Sequence, residues 1–319
     1  MNAEGSLSGI ILVDKPEGMT SFSVVSRVRK ILHTKKAGHA GTLDPFATGL
    51  LTVAVGKGTR VLRYMEKDDK TYRALMELGT ITSTGDRDGE AVGGRKPDRE
   101  EAEALRKEDY RKIRESVSSM IGNITQVPSM YSAIKIKGRP AYDYARKGET
   151  VEIPERHVTI YDIAVHRIYE EQEAFFVDMT VHCSKGTYIR SLCEDIGEKL
   201  GFGAYCKELR RLSCGNFSID EAITLEELEE KYSSGDGSFL KEEICAMGGL
   251  LRIEVSETEA ADLQNGKKLD FSAFKDRMET IEAGPSDRIL AVYDGKPVAV
   301  IYSEEEEGSL LIREERVFA

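Results

Sequence analysis

Apolar and polar positions alternate along this chain with two different periods. GIILVDKP at 9–16 is an apolar run ending at a proline and reads as a strand. TSFSVVSRVRKILHT then switches to the helical period. Val24, Val25, Val28, Ile31 and Leu32 form one stripe, with Thr20 or Ser21 as the cap. Arg27 and Lys30 fall on other faces, where they meet either solvent or a polyanion. AGHAGTLDPFATGLL is punctuated by Gly38, Gly41, Pro45 and Gly49, so it is expected to be a loop with unusual backbone angles. TYRALMELG alternates as a strand, and residues 98–121 are charged with a helical pattern. FFVDMTVHC puts Phe175, Val177, Met179 and Val181 on one strand face. SKGTYIRSLCEDIGEKLG turns into a helix with Ile189, Leu192, Cys193, Ile196 and Leu200 as its buried stripe. The acidic LEELEEKYSSGDGS reads as a boundary, and RILAVYDGKPVAVIY as a hairpin around Asp294-Gly295. Strands and helices mix without a βαβ repeat, which predicts an α+β fold with a mixed, largely antiparallel sheet.

Composition narrows this picture. With 319 residues, one large domain and one small one are expected, and 40% hydrophobic with 32% charged residues is a soluble, globular profile. No apolar run approaches the ~20 residues of a membrane span. The N-terminus lacks the basic region of a signal peptide, so no membrane partner is expected. Cysteines at 183, 193, 206, 214 and 245 form no CxxC pair and read as reduced thiols in the cytoplasm. Net charge is −11, but residues 221–319 hold 11 Lys+Arg against 24 Asp+Glu, whereas residues 14–73 hold 12 basic and 6 acidic side chains. Charge beyond a Debye length of ~8–10 Å is screened, so the basic stretch leaves a polyanion partner open.

Two motifs fail. Six residues separate Gly49 from Gly56 and Gly58 follows Lys57, which breaks the phosphate-loop pattern. TGDRDG suggests a calcium loop, but Thr84 and Arg95 occupy positions that need Asp and Glu. The five histidines show no metal-ligand spacing, so no metal and no nucleotide cofactor is expected. Asp44 is a lone carboxylate in the glycine-punctuated loop, and by spacing alone it reads as an Asx-turn residue or cap.

GHAGTLDP at 38–45, followed by ATGLL at 47–51, closely resembles the active-site motif of the TruB-type tRNA pseudouridine synthases. LVDKPEGMTS at 12–21 resembles that family's lysine–proline motif, and KTYRALMELG at 70–79 its tyrosine motif. QVPSMYSAIKIKGRPAYDYARKG at 126–148 resembles the segment beside its RNA-binding thumb. CSKGTYIRSLCEDIGEKLG at 183–201 and ELRRLSCGNF at 208–217 resemble its last core motifs, so the likeness runs in order over about residues 9–225. Residues 250–319 are similar to a PUA domain, with EEEE at 304–307 an unsuitable surface for RNA.

The resemblance implies a catalytic domain over 1–245 with a thumb insertion at about 120–150, then a small β-rich PUA-like domain over 250–319. It implies isomerisation of the T-loop uridine of tRNA, position 55 in tRNA numbering, by base flipping and nucleophilic attack, without a cofactor. Asp44 would attack either ribose C1′ or uracil C6. Arg190 would pair with Asp44 and keep it ionised, while Tyr72 would stack on the flipped base and assist proton removal. Tyr188 and Leu209 would be pocket residues, His39 would occupy or stabilise the disrupted RNA loop, and Lys15 would support the site. Lys135, Lys137, Arg139, Arg146 and Lys147, interleaved with Tyr131, Tyr142 and Tyr144, would take phosphates and stacked bases. A cytoplasmic monomer acting on the T-arm without a guide RNA is expected. Two rivals stand beside this reading. One is a tRNA-folding chaperone that needs no chemistry. The other is a glycosidase, which needs a second acid about 5–10 Å from the first.

Overall fold

The computed structural model describes residues 7–65, 68–132, 134–136, 138–149, 151–284, 287–306 and 309–318. The chain opens with β1 (Gly9–Lys15), α1 (Ser21–Ile31), β2 (Ala37–Ala40) and β3 (Thr48–Val55). Thr20 caps α1 by accepting from the Ser23 N–H, and the expected stripe is buried. A short α2 (Leu62–Met65) leads to β4 (Lys70–Leu78), and β5 (Ile81–Thr82) pairs with β6 (Ala91–Gly93). The charged stretch is two helices, α3 (Arg99–Lys107) and α4 (Arg111–Ser118), broken by left-handed backbone at Asp109 and Tyr110.

The expected thumb region runs from β7 (Gly122–Gln126) through β8 (Lys135–Ile136) and β9 (Arg139–Pro140) to α5 (Ala141–Arg146). Beyond it lie β10 (Arg156–Glu171), β11 (Ala174–Cys183), α6 (Ile189–Leu200), β12 (Ala204–Cys214), β13 (Phe217–Ser218) and α7 (Leu225–Ser234). The last part holds β14 (Leu251–Glu254), α8 (Glu257–Gln264), β15 (Leu269–Asp270), α9 (Lys275–Thr280), β16 (Ile289–Tyr293), β17 (Lys296–Glu306) and β18 (Ser309–Val317).

The main sheet runs β1-β3-β12-β4-β11-β10-β7, with β2 on β3 and β13 on β12. Among the described residues its pairings are antiparallel except β12 with β3, so the expected mixed, largely antiparallel sheet is present. Strand alternation divides its faces. Tyr72, Ala74 and Met76 of β4 turn toward α3, α4 and α6 and form the largest core with Val177, Leu192 and Ile196. Arg73 and Glu77 turn the other way, where they pair with Asp178 and Lys207. A second sheet, β14-β16-β17-β18-β15, has its own core around Ile253, Leu263, Phe274 and Ile301. Its Leu290, Val292 and Val300 also join Ile10, Leu12 and Met247 of the main body. The expected hairpin turns at Asp294 and Gly295, both with positive φ.

Two expectations are corrected. Of the expected loop at 37–51, residues 48–51 belong to β3 itself, and Ala37–Ala40 is strand, paired with β3 from Ala37↔Val55 to Ala40↔Thr52. Four residues with two small side chains carry no readable alternation, and the pairing partner supplies the order. LEELEEKYSSGDGS is not a boundary: it forms α7, with a Thr224–Glu227 capping box and Leu225 and Leu228 packed against Val24 and Val28. Arg27 stays on the solvated surface, where it pairs with Glu229 of α7 at 2.6 Å.

On one edge β3 is lined by β1 throughout. On the other, β12 reaches only Thr48 and Gly49, while β2 takes residues 52–55. The sheet therefore forks, and the connection 41–47 emerges at the fork. Gly49 makes the fork possible. Its φ is +100°, and a Cβ there would lie 2.3 Å from the Arg211 carbonyl oxygen. Gly49→Ala is expected to lower stability by about 3 kcal/mol or more, from strain and clash together. Gly201→Ala, also at positive φ but with nothing within 4 Å of the new Cβ, should cost only about 1–2 kcal/mol. Urea unfolding of both variants measures the difference.

Candidate active site

The connection at the fork is strapped down on both sides of Asp44. Ser21, in the first turn of α1, donates from Oγ to the Leu43 carbonyl at 3.1 Å and accepts from the Leu43 N–H at 2.9 Å. Lys15, fully buried at the end of β1, donates from Nζ to the carbonyls of Pro16, Met19 and Pro45 at 2.9, 2.6 and 3.2 Å. The Gly18 N–H reaches the same Pro45 carbonyl at 2.8 Å. Burial pushes the Lys15 ammonium down to about 8, against the pull of Asp44, so it remains charged at neutral pH. Arg211, an inward-facing residue of β12, fixes both ends of the connection by donating to the carbonyls of Leu50 at 2.7 Å and Gly41 at 3.1 Å.

Arg190 enters from the first turn of α6 and is 3% exposed. Its Nε lies 3.0 Å from Asp44 Oδ2, and Nη2 donates to Asp44 Oδ1 at 3.3 Å. Nη1 donates to the Thr84 carbonyl at 2.7 Å and to Asp86 Oδ2 at 3.2 Å, and Nη2 also donates to the Tyr131 carbonyl at 3.0 Å. Both terminal nitrogens thereby make two hydrogen bonds each, and Nε lies against the Asp44 carboxylate. Asp86 sits in the TGDRDG turn, where its other oxygen accepts from the Thr84 hydroxyl at 2.6 Å and the Asp88 N–H at 3.0 Å.

Burial raises the Asp44 carboxyl above its ordinary value and the nearby Asp86 adds to this, while Arg190 and Lys15 oppose it. Glu194, one helical turn behind Arg190, is pushed up to about 7, again chiefly by burial.

His39, Asp44, Tyr72, Tyr188, Arg190 and Leu209 all line one pocket of about 560 Å³. Lys15 does not line it and lies beneath the connection instead. Tyr72 is buried on β4, and burial raises its phenol, so at neutral pH it offers a ring and an O–H rather than a phenolate. Burial, then Arg211, lowers the His39 imidazole, which is therefore neutral near pH 7. Tyr188 caps α6 and is held by Gln126, whose side-chain amide donates to its carbonyl at 3.2 Å and accepts from its N–H at 3.0 Å.

The RNA-binding candidates are less gathered. Arg139 pairs with Glu149 at 3.1 Å and lies over the Tyr144 ring, so part of its charge is already met. Lys147 is exposed. Lys137 lies outside the described residues, and for Lys135 and Arg146 only the backbone is described.

Several residues escaped the sequence reading. Asp86 was visible only as part of a rejected calcium loop. Arg211 could have been found as a charge at an inward strand position, two residues after Leu209. Gln126 carried no local signal. Arg156 lines the pocket yet is exposed, and no carboxylate pairs with it among the described residues. The glycosidase reading gains nothing from Asp86, because that carboxylate is buried behind Arg190 and does not line the pocket.

The family model of the TruB family pseudouridylate synthase N-terminal domain matches residues 29–189, and that of the tRNA pseudouridylate synthase B C-terminal domain matches 190–261. Over 263 residues the chain is 43% identical to tRNA pseudouridine synthase B of Streptococcus gordonii, covering 82% of this chain and 87% of the relative. Over 304 residues it is 41% identical to tRNA pseudouridine synthase B of Corynebacterium diphtheriae, covering 95% and 98%. Among solved structures it is similar to a chain of a Cbf5-Nop10-Gar1 complex, with TM-score 0.70 and 27% identity over 98% of this chain and 85% of that one. A chain of an H/ACA RNP bound to a substrate RNA containing 2'-deoxyuridine gives TM-score 0.69 and 26% identity, with the same coverage.

Asp44 must be ionised to attack, so activity falls as pH drops through its raised pKa, and the limb is shifted upward from that of an ordinary aspartate. Asp86→Asn removes a negative charge that raises both Asp44 and Glu194. Its acid limb should therefore move to lower pH. Its plateau rate should fall by about 10- to 100-fold, because Arg190 loses an anchor. A pH profile of single-turnover rates checks both.

Proposed function

The chain belongs to the TruB family of tRNA pseudouridine synthases, and from that premise we propose that its target is the T-loop uridine, position 55 in tRNA numbering, with Asp44 as nucleophile. One observation carries the assignment of roles: an aspartate paired with a buried arginine, opening into a pocket walled by a buried tyrosine. A uridine stacked in a folded loop cannot reach such a pocket, so it must leave its stack to react. The Asp44 carboxylate then attacks ribose C1′ or uracil C6. The N1–C1′ bond breaks, the base turns, a C5–C1′ bond forms, the bond to Asp44 breaks and returns the free carboxylate, and the C5 proton leaves while N1 gains one. No electrons are exchanged with a second substrate.

Arg190 supplies fixed positive charge against the carboxylate as its bonding changes. Tyr72 contributes a ring against the flipped base and Tyr188 and Leu209 close the pocket, with His39 at the edge where the disrupted loop would lie. Lys15 acts through the backbone of Pro45 and not on the substrate. Arg156 and Lys147 are assigned to RNA phosphates. The described part of the thumb region, whose Tyr131 carbonyl already touches Arg190, would close over the RNA.

We further assign residues 1–245 to catalysis and 250–319 to a PUA-like unit. The enzyme is read as a monomer in the cytoplasm that needs no guide RNA. The near full-length relatives named for tRNA support action on tRNA. A folding-chaperone role can accompany the chemistry, since binding must open the T-loop.

Two experiments test the proposal. Tritium release from a tRNA transcript labelled at uridine C5 is expected with the wild type, and not with Asp44→Asn or with a transcript lacking the T-loop uridine. Tight tRNA binding without release by the wild type would leave only the chaperone reading. Arg156→Ala is expected to weaken tRNA binding and to lower the slope of log affinity against log salt by about 0.7–0.9, the contribution of one phosphate contact.

A further inference from the structure

Ser132 is 3% exposed and lines the active-site pocket beside Ile134, on the segment that follows β7. Its hydroxyl faces the Tyr188 phenol closely enough to influence that group's ionisation. Yet among the described residues its Oγ completes no hydrogen bond. A buried hydroxyl without a partner is costly and uncommon. Its nearest polar neighbours are already engaged or poorly placed: the Tyr131 carbonyl accepts from Arg190, the Tyr188 backbone pairs with Gln126, and the Tyr188 phenol stands beside the hydroxyl without a bond of good geometry. The unmet group therefore lies in the space where the flipped base must go.

We infer that the Ser132 hydroxyl donates a hydrogen bond to a carbonyl oxygen of the flipped uracil, making Ser132 a further substrate-recognition residue. Uracil carries two carbonyl acceptors and one N–H donor, so a pocket that satisfies it needs donors in excess. The phosphates are an unsuitable partner. They would remain with the exposed Arg156, whereas Ser132 is buried among Ile134 and the tyrosine rings. In the free protein the hydroxyl is unsatisfied, and in the complex it is met. The residue thus contributes to binding and turnover without contributing to folding. This inference rests on the uridine-isomerase reading.

The experiment measures tritium release and thermal unfolding for Ser132→Ala beside the wild type. Loss of one neutral hydrogen bond is expected to lower kcat/KM by about 3- to 10-fold. The unfolding temperature should hold or rise, because an unsatisfied polar group has gone. The same comparison is then made on transcripts carrying 2-thiouridine or 4-thiouridine at the target, since sulfur is the poorer acceptor. At one of the two positions the effects of Ser132→Ala and thiolation should fail to add. Wild-type kcat/KM in Ser132→Ala would overturn the inference, as would full additivity at both positions. So would a fall in unfolding temperature that accounts for the lost activity, since that marks a structural role. A wild type that releases no tritium from any transcript would instead sink the underlying function.

Discussion

One guanidinium organises this site. A buried arginine cannot shed its proton, so its charge must be met where it lies. Arg190 is met by two carboxylates and two carbonyls that arrive from three separate parts of the chain: the 41–47 connection, the TGDRDG turn and the segment after β7. Each depends on the others through it. Remove Asp86 and the guanidinium is free to shift toward Asp44. Remove the Tyr131 contact and an N–H is left unpaired in the interior. The cost of an unpaired charge makes the arrangement specific, which matters more here than any net gain in stability.

The same interior raises the Asp44 carboxyl while Arg190 and Lys15 draw it down. These opposing effects fit a nucleophile. A carboxylate left in open water would be solvated and correspondingly less reactive. One merely buried would be protonated. Rigidity comes from the backbone. Leu43 and Pro45 are both fastened to the segment after β1, so Asp44 has little freedom left when substrate arrives. Gly49 belongs to this constraint, because only a residue without Cβ lets β12 come close enough for Arg211 to reach Leu50 and Gly41.

Long periodic elements were legible in the sequence. The α1 and α6 stripes, the β4 and β11 alternations and the Asp294-Gly295 hairpin all stand where the pattern puts them. Short or charge-dominated elements were not. Strand β2 has only Ala-Gly-His-Ala to declare itself, and α7 hides two core leucines among the four glutamates of residues 225–234. Within the site, family likeness named Asp44, Arg190, Tyr72, Tyr188, Leu209, His39 and Lys15, while Arg156, Arg211 and Ser132 of the pocket lining and the supporting Asp86 and Gln126 were missed. Asp86 and Gln126 meet their partners across 104 and 62 residues of chain. No local period encodes such a contact, and only closure of the sheet brings the partners together.

Charge along the chain also looks different once folded. The acidic C-terminal part would repel RNA if its carboxylates were free, but several are spent internally. Glu304 and Glu306 pair with Arg313, Glu306 also with Lys268, and Glu259 with Arg277. Glu315 faces Arg63 and Tyr64 of the main body, where it helps hold the second sheet in place. At the pocket mouth the balance is reversed, for Arg156 has no acidic partner among the described residues. Over a Debye length of about 8–10 Å the local balance outweighs the total. An anionic ligand is therefore drawn to the mouth by Arg156, while the acidic excess behind the net charge of −11 lies in the C-terminal part of the chain.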